Sequence, residues 1–346
     1  MISREQILFW TRRSAIVLAG VIVAGVAIVA FLLNNRPNIE DVDWPEYPEF
    51  ERAGNSVTMT WLGVTTLLFD DGTTQILIDG FFSRPSMADL VFDTRIESKA
   101  AQIDRVLDEY QMRRLAAIIP IHNHFDHAMD IGAIANRSSA SIIGSASSAN
   151  VARGAGVPED QIIVAENGAR YDFGEFTVRL IETNHAPIGW GGSTPYDGTV
   201  DEPLKLPAKS SAWRVGKSYS VVVSHPQGTA LVHGSAGILE GSLDDVAADV
   251  VLLGTFGLDG LGRDYTELYW QALVTSTGAT RVIPIHFDDY TRPFGTIELA
   301  PRVLDDFVET AQWLEELRQT WDQDVRLHLP TFGVEVVLYP PPTPDA

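Results

Sequence analysis

The sequence predicts an α+β domain, two β-sheets packed face to face with helices outside, preceded by one N-terminal transmembrane helix. Three observations carry this expectation. The 19 residues 15–33 are all uncharged. Behind them come two batches of β-type runs, each followed by segments of helical spacing, which is the pattern of layered sheets and helices. Finally, a histidine–aspartate cluster sits at the end of a strand-like apolar run at 115–121.

In a helix rising about 1.5 Å per residue, residues 15–33 roughly match a hydrocarbon core of ~30 Å. A secretory signal peptide has a shorter apolar core and a small-residue cleavage site. Here the run passes into Leu32-Leu33-Asn34-Asn35 without an Ala-x-Ala, so an uncleaved signal anchor is expected. Arg4, Arg12 and Arg13 precede the span, whereas Arg36 is followed by the acidic stretch 40–51. The positive-inside bias then puts residues 1–14 in the cytoplasm and the remainder outside, as a single-pass membrane protein. Thr11-Arg12-Arg13-Ser14 loosely resembles a twin-arginine export signal but lacks the usual large apolar residue behind it. Anchoring of the helix end is the plainer reading of that pair.

Residues 34–55 are rich in Pro, Asp and Glu and read as a linker packed on the domain through Trp44 and Tyr47. The main domain is expected over 56–340, with a frayed tail at 341–346. Its first strands are expected at 57–62, 65–69 and 75–79, the last two joined through the turn residues Asp70-Asp71-Gly72. A helix follows at 100–110 and a buried strand at 115–121. Further strands are expected at 141–143, 161–164, 176–182, 211–215, 218–224, 229–232, 250–253, 281–285, 325–329 and 334–338. Helices are expected at 146–153, 264–276 and 299–321. The stretch 186–210, full of Gly, Pro, Ser and Thr, reads as a long insertion of the kind that forms lids or binding loops.

Composition excludes some chemistry. With 46 acidic against 25 basic residues the formal charge is −21, so the surface repels polyanions and nucleic acid is not expected as a partner. The absence of cysteine removes disulfides, zinc–thiolate sites and thiol nucleophiles.

The chemistry is expected at His122-Asn123-His124-Phe125-Asp126-His127. A strand leading into a loop presents His122 and His124 on one side, because side chains two apart share a face. Asp126 and His127 follow on the turn into the next helix. A surface histidine cluster is the bland alternative, but only 8 of 346 residues are histidine, so three within six positions is not a chance spacing. Imidazoles beside a carboxylate, with no thiolate available, select Zn²⁺, with Mn²⁺ or Fe²⁺ as alternatives.

His-x-His-x-Asp-His behind a buried strand resembles the signature of the metallo-β-lactamase superfamily, whose fold is a four-layer αββα sandwich. The resemblance covers most of residues 56–340. Trp61-Leu62-Gly63 with Leu77-Ile78-Asp79-Gly80 looks like the opening hairpin of that fold. The longer run ending at Asp130 is similar to the branch holding ascorbate-6-phosphate lactonases and N-acyl-phosphatidylethanolamine phospholipase D. The resemblance implies one metal at His122, His124 and His185, and a second at Asp126, His127 and His286. It also implies that Asp79 buttresses the histidine loop. At the family's bridging aspartate the chain instead has Ser235, in Val232-His233-Gly234-Ser235-Ala236. An uncharged hydroxyl is a poor bridge, which weakens the second site and leaves one or two metals open.

The activity implied is hydrolysis of an ester, lactone or phosphodiester in a small-molecule or lipid-like substrate. A metal supplies the nucleophile from water at neutral pH, and Asp126 orients it or accepts its proton. The lactonase-like kinship points to lactones or phosphorylated sugars, the phospholipase-like kinship to lipid phosphodiesters, although an acidic domain repels anionic headgroups. One rival is a non-hydrolytic metal-binding or sensing protein with a degenerate centre. Another is a diiron redox protein, whose relatives carry ligand acids and a flavin domain that this chain lacks. Trp190, Tyr196 and Trp213 either line a cleft or pin the long insertion. Arg263, Asp264 and Arg292 either meet substrate or form surface ion pairs. His225, His233 and His328 are expected to be structural.

Overall fold

The computed structural model describes residues 4–339 except 49, 51, 53 and 55, with side chains omitted at 5–8 and 11. The expected tail at 341–346 lies outside the described residues. Helix α1 spans Arg4–Asn34, and its stretch Arg12–Asn34 is long and apolar enough to cross a membrane, with none of it buried against the domain.

The linker behind it packs down, as its aromatic residues predict. Trp44 meets Phe307 edge-on, and the buried Tyr47 is hydrogen-bonded to the Leu338 carbonyl. Two seven-stranded sheets follow. The strands of the first are β1 (Thr58–Trp61), β2 (Leu67–Asp70), β3 (Gln75–Ile78), β5 (Leu115–Ile119), β6 (Ser141–Gly144), β7 (Ile162–Val164) and β16 (Glu335–Val337), in the order β16-β1-β2-β3-β5-β6-β7. Those of the second are β8 (Arg170–Phe173), β9 (Phe176–Thr183), β11 (Ser218–His225), β12 (Gly228–His233), β13 (Val250–Gly254), β14 (Arg281–Ile285) and β15 (Arg326–Leu327), in the order β15-β14-β13-β12-β11-β9-β8. A two-stranded ribbon pairs β4 (Arg95–Ile96) with β10 (Ala208–Lys209).

Alternation along the strands builds four layers. In β13, Val250 and Leu252 enter the core between the sheets, while Val251 and Leu253 face the outer helices. In β3, Ile76 and Ile78 point inward and Leu77 outward. These strands are apolar on both faces because each is covered on both, which is the usual state of parallel strands. Helices α3 (Ala100–Glu109), α5 (Ile131–Ser138) and α6 (Ala146–Gly154) cover the first sheet. Helices α8 (Arg263–Trp270) and α9 (Phe307–Trp321) cover the second. Each fully buried Leu, Ile or Val contributes about 1.5–3 kcal/mol.

Three expectations need correction. Residues 211–215 are not a strand: a 3₁₀ turn at Ser210–Ala212 puts Trp213 fully inside the helix-side core, and Asp93 accepts hydrogen bonds from both serine hydroxyls. The last helix begins at Phe307, not 299, with Asp306 capping it by accepting from the Glu309 N–H. Before it, a single turn closes at Pro301, whose carbonyl accepts the Leu304 and Asp305 N–H groups, while the Arg302 N–H is bonded to Asn35 and the Asp305 side chain accepts the Gly257 N–H. The expected helix at 264–276 changes to a π-helical turn at Gln271–Thr275. The short helix α2 (Met87–Val91), the ribbon β4–β10 and strand β8 carried no periodic signal long enough to predict them.

Candidate metal centre

The carboxyl-terminal ends of β3, β5 and β14 meet at one edge of the sandwich and deliver Asp79, the loop from Pro120 and His286 to the same place. Asn123 ties that loop down, its N–H bonded to the Val215 carbonyl and its amide donating to Arg214. His124 then caps the short helix α4 (Phe125–Ala128), which carries Asp126 and His127.

The six expected ligands form two groups, His122, His124 and His185, and Asp126, His127 and His286, each with its candidate ligand atoms within 4.8 Å of one another. In the first group His122 Nε2 lies 3.0 Å from His124 Nδ1. In the second, Asp126 Oδ2 lies 3.4 Å from His286 Nε2 and 3.6 Å from His127 Nε2.

The outer nitrogens fix which way the lone pairs point. His124 Nε2 is 2.9 Å from the Pro195 carbonyl, which can only accept, so Nδ1 is left bare and faces its partners. His185 Nδ1 donates likewise to the Ala186 carbonyl at 2.8 Å, freeing Nε2. His127 Nδ1 donates to Asp79 Oδ2 at 2.7 Å, again freeing Nε2. Nitrogens gathered with lone pairs turned inward in this way are the donor set a cation takes up. His127 Nε2 is buried without a hydrogen-bond partner, as a ligand atom facing a cation position would be.

Burial sets the charges. It pushes His124 down to about 3 and His185 down to about 4, and drives His122 well below the usual histidine range with help from the neighbouring imidazoles. These rings are therefore neutral ligands at neutral pH. Burial raises Asp126, but His127 and His286 outweigh it and hold the carboxyl ionised. Burial lowers His127, yet the carboxylates of Asp79 and Asp126 outweigh it and leave a net rise.

Asp79 holds this edge together from a left-handed backbone, φ +57°. Its Oδ1 accepts the Ile121 N–H at 2.8 Å, and its Oδ2 accepts from His127 and from the Thr65 hydroxyl. His286 (φ +58°) and Val64 (φ +50°) are left-handed as well. The His286 N–H is bonded to the Val64 carbonyl and Asp288 accepts the Val64 N–H at 2.7 Å. For a β-branched residue such a backbone costs about 1–3 kcal/mol and persists only where neighbours over-determine it. Asp130 completes the frame by accepting the Phe82 and Ser83 N–H groups. Residues Val64, Thr65 and Asp288 were not singled out from sequence. They flank the opening hairpin and His286, and only backbone conformation reveals them.

Ser235 lines the centre with His122, His185 and His286, and its hydroxyl accepts the Ala186 N–H at 3.0 Å. It therefore positions the His185 segment. A small cavity opens above the two groups, walled by Phe125, Ile188, Pro195, Tyr196, Phe256 and Tyr290. A larger cleft, about 490 Å³, lies elsewhere, between loop 237–244 and the π-helical turn. His233 beside it has both nitrogens bonded, to Ser220 and Gly237. That cleft holds none of the six clustered ligand residues.

A third group, Asp71, Glu175 and His225, has similar spacing but the opposite polarity. Here His225 Nδ1 accepts the Gln227 N–H at 3.2 Å, which leaves Nε2 as the N–H side of the ring, 3.2 Å from Glu175, so no lone pair is turned into this group. His328 packs edge-on against Tyr47, as a structural residue. Of the aromatic residues in question, Tyr196 lines the cavity, Trp213 is core and Trp190 is 99% exposed. Arg263 and Arg292 are engaged in ion pairs with Glu267, Glu316 and Glu298.

No family model matches the chain. A curated relative, a UPF0173 metal-dependent hydrolase from Roseiflexus sp. (strain RS-1), is 26% identical over 135 residues, which is 38% of this chain and 49% of the relative, so the match spans about half its length. Among solved structures, an isothiocyanate hydrolase from Delia radicum gut bacteria aligns with TM-score 0.49 and 16% identity, covering 82% of this chain and 100% of that one. The metallo-β-lactamase fold protein YhfI from Bacillus subtilis aligns with TM-score 0.48 and 13% identity, covering 81% and 98%. On its own topology and edge geometry, the chain has a mixed, sheet-rich fold of the metallo-β-lactamase-like kind.

Two outcomes follow from the geometry. Asp79→Asn removes the charge that orients His127 and is expected to lower metal affinity about 10–100-fold, read by chelator competition. Unchanged affinity would show that Asp79 has no orienting role. In metal-free protein, the unfolded chain takes up protons on His122, His124 and His185 as pH falls through about 6.5, while the folded chain resists until far lower. His127 and the buried carboxyls of Asp130 and Asp305, all raised in the fold, oppose this. His233 and His328, lowered by burial, add to it, so lowered imidazoles are in the majority. The melting temperature in chelator is therefore expected to fall between about pH 7 and about pH 5, and a rise would contradict the burial of neutral imidazoles.

Proposed function

We propose that this chain is a membrane-anchored, metal-dependent hydrolase of the metallo-β-lactamase superfamily, acting on an ester, lactone or phosphodiester bond. The observation that carries the reading is the set of outer hydrogen bonds on His124, His127 and His185, each leaving a bare lone pair aimed into its group. Such donors suit Zn²⁺, with Mn²⁺ or Fe²⁺ as alternatives. His122, His124 and His185 would hold one ion, and Asp126, His127 and His286 a second.

When bound, such an ion supplies Lewis acidity and a nucleophile from water near neutral pH. The chain's own groups do the rest. Asp126, kept ionised and lying between His127 and His286, would help hold the ion and could accept a proton at its carboxylate. The Tyr290 hydroxyl, held protonated by burial, offers a hydrogen-bond donor on the cavity wall. Phe125, Phe256 and Ile188 exclude bulk water, which strengthens every polar contact inside.

The narrower kinship, to the lactonase and phospholipase-D-like branch, is supported by the run from His122 to Asp130. It favours a small-molecule or lipid-like substrate. Anchoring is supported by the exposed apolar helix, and an outside placement of the domain by the arginines before it and the acids after it. A second reading, a metal-binding protein without turnover, is favoured by one observation: the Ser235 hydroxyl is committed to the Ala186 N–H and supplies no bridging charge.

The deciding experiment incubates full-length, zinc-loaded protein with a panel of esters, lactones and phosphodiesters beside His124→Ala. Hydrolysis of at least one class, lowered about 100-fold or more in the variant, is expected for the loss of a ligand to the catalytic ion. Zinc binding without any turnover distinct from His124→Ala would transfer the chain to the second reading.

A further inference from the structure

The membrane-spanning candidate does not leave the domain at an arbitrary point. Its last residues are fastened to the edge that carries the metal centre. The Asn35 carbonyl accepts the Arg302 N–H at 2.9 Å. Arg36 donates to the Leu299 carbonyl at 2.6 Å and pairs with Asp289 at 2.8 Å. Asp289 is the neighbour of Tyr290, which walls the cavity beside His286.

The linker then runs away from that edge. By Tyr47 it has reached Arg281, whose guanidinium is bonded to the tyrosine hydroxyl. Arg281 begins β14, and His286 follows the end of that strand. Between residues 36 and 47 the chain therefore travels from the metal-bearing edge to the opposite one. A helix embedded in a bilayer and ending at Asn34 leaves the metal-bearing edge next to the lipid.

The same edge carries apolar side chains with nothing to cover them. Val303 and Leu304, adjoining the Arg302 contact, are 53% and 42% exposed. Trp190, on the loop whose Ile188 and Pro195 wall the cavity, is 99% exposed. Tryptophan at such a position suits the membrane–water interface, where its ring is shielded and its N–H stays wet. The nearby cations are already paired, Arg36 with Asp289, Arg292 with Glu298 and Arg302 with Asp306. Three cations of this edge are thus committed to carboxylates, and the chain's −21 charge repels anionic headgroups, so the fitting surface is zwitterionic.

We propose that the edge of the sandwich bearing the His/Asp cavity rests on a zwitterionic bilayer through Val303, Leu304 and Trp190, so that the cavity opens at the lipid interface. This rests on the anchoring reading of α1 and not on hydrolysis. Substrate would reach the metal groups from the interfacial layer rather than from bulk solution.

The chain has no cysteine, so single labels are specific. Full-length Val303→Cys, Trp190→Cys, Trp321→Cys and Val23→Cys would each carry a fluorophore in phosphatidylcholine vesicles containing nitroxide lipids. Trp321, 52% exposed, closes α9 near Asp322–Val325, at the Arg326–Arg281 edge opposite the centre. Strong quenching at 303 and 190 by headgroup nitroxide, with little at 321, is expected. Quenching at 321 equal to or above that at 303 overturns the orientation. Label 23 reads the anchor separately: if acyl-chain nitroxide leaves it unquenched, the anchoring reading fails and the proposal fails with it.

Discussion

The Asp79 carboxylate is the constraint on which the metal edge depends. One group at the end of β3 accepts from the loop after β5 through Ile121, from α4 through His127, and from the first hairpin through Thr65. It does so from a left-handed backbone that costs on the order of 1–3 kcal/mol for a non-glycine residue. Three bonds to a buried charge offset that cost, since each charged hydrogen bond contributes roughly 1.5–3 kcal/mol. The second sheet is locked to the same frame through His286, Val64 and Asp288. Each ligand group thus draws on both sheets, His185 joining the first group and His286 the second, so their spacing is set by how the sheets pack rather than by any local turn.

Polarity of the outer hydrogen bonds separates a metal centre from a chance cluster. Distance alone does not, because Asp71, Glu175 and His225 lie as close together as the true candidates. A carbonyl or carboxylate outside the ring turns the bare nitrogen inward, as at His124, His127 and His185. A backbone N–H outside the ring turns the proton inward, as at His225, and leaves a donor facing two acids. The same logic explains why His233, bonded at both nitrogens, is structural.

Much of this was legible in the sequence. The run from His122 to His127 announces itself by density, and the central strands by apolar runs that parallel strands need on both faces. His185 and His286 were legible only through family resemblance, because each stands alone in its segment. Trp213 misled: the β-like stretch 211–215 owes its composition to one side chain driven into the core, not to a ladder. Residues 299–306 misled in the other direction: they form one isolated turn at Pro301, tied to Asn35 through the Arg302 N–H and to Gly257 through the Asp305 carboxylate, contacts far apart in sequence. Val64, Thr65, Asp288 and Tyr290 gave no signal, because their roles lie in backbone conformation and cavity geometry.

This edge is pre-aimed to hold metal although Ser235, at its centre, brings no charge. The direct test is metal content per full-length chain, by elemental analysis of zinc-replete protein after dialysis, in wild type and Ser235→Asp. Between about one and about two ions are expected in wild type and about two in the variant, where a carboxylate is added. Wild-type protein that retains no metal, with no recovery in Ser235→Asp, would contradict it.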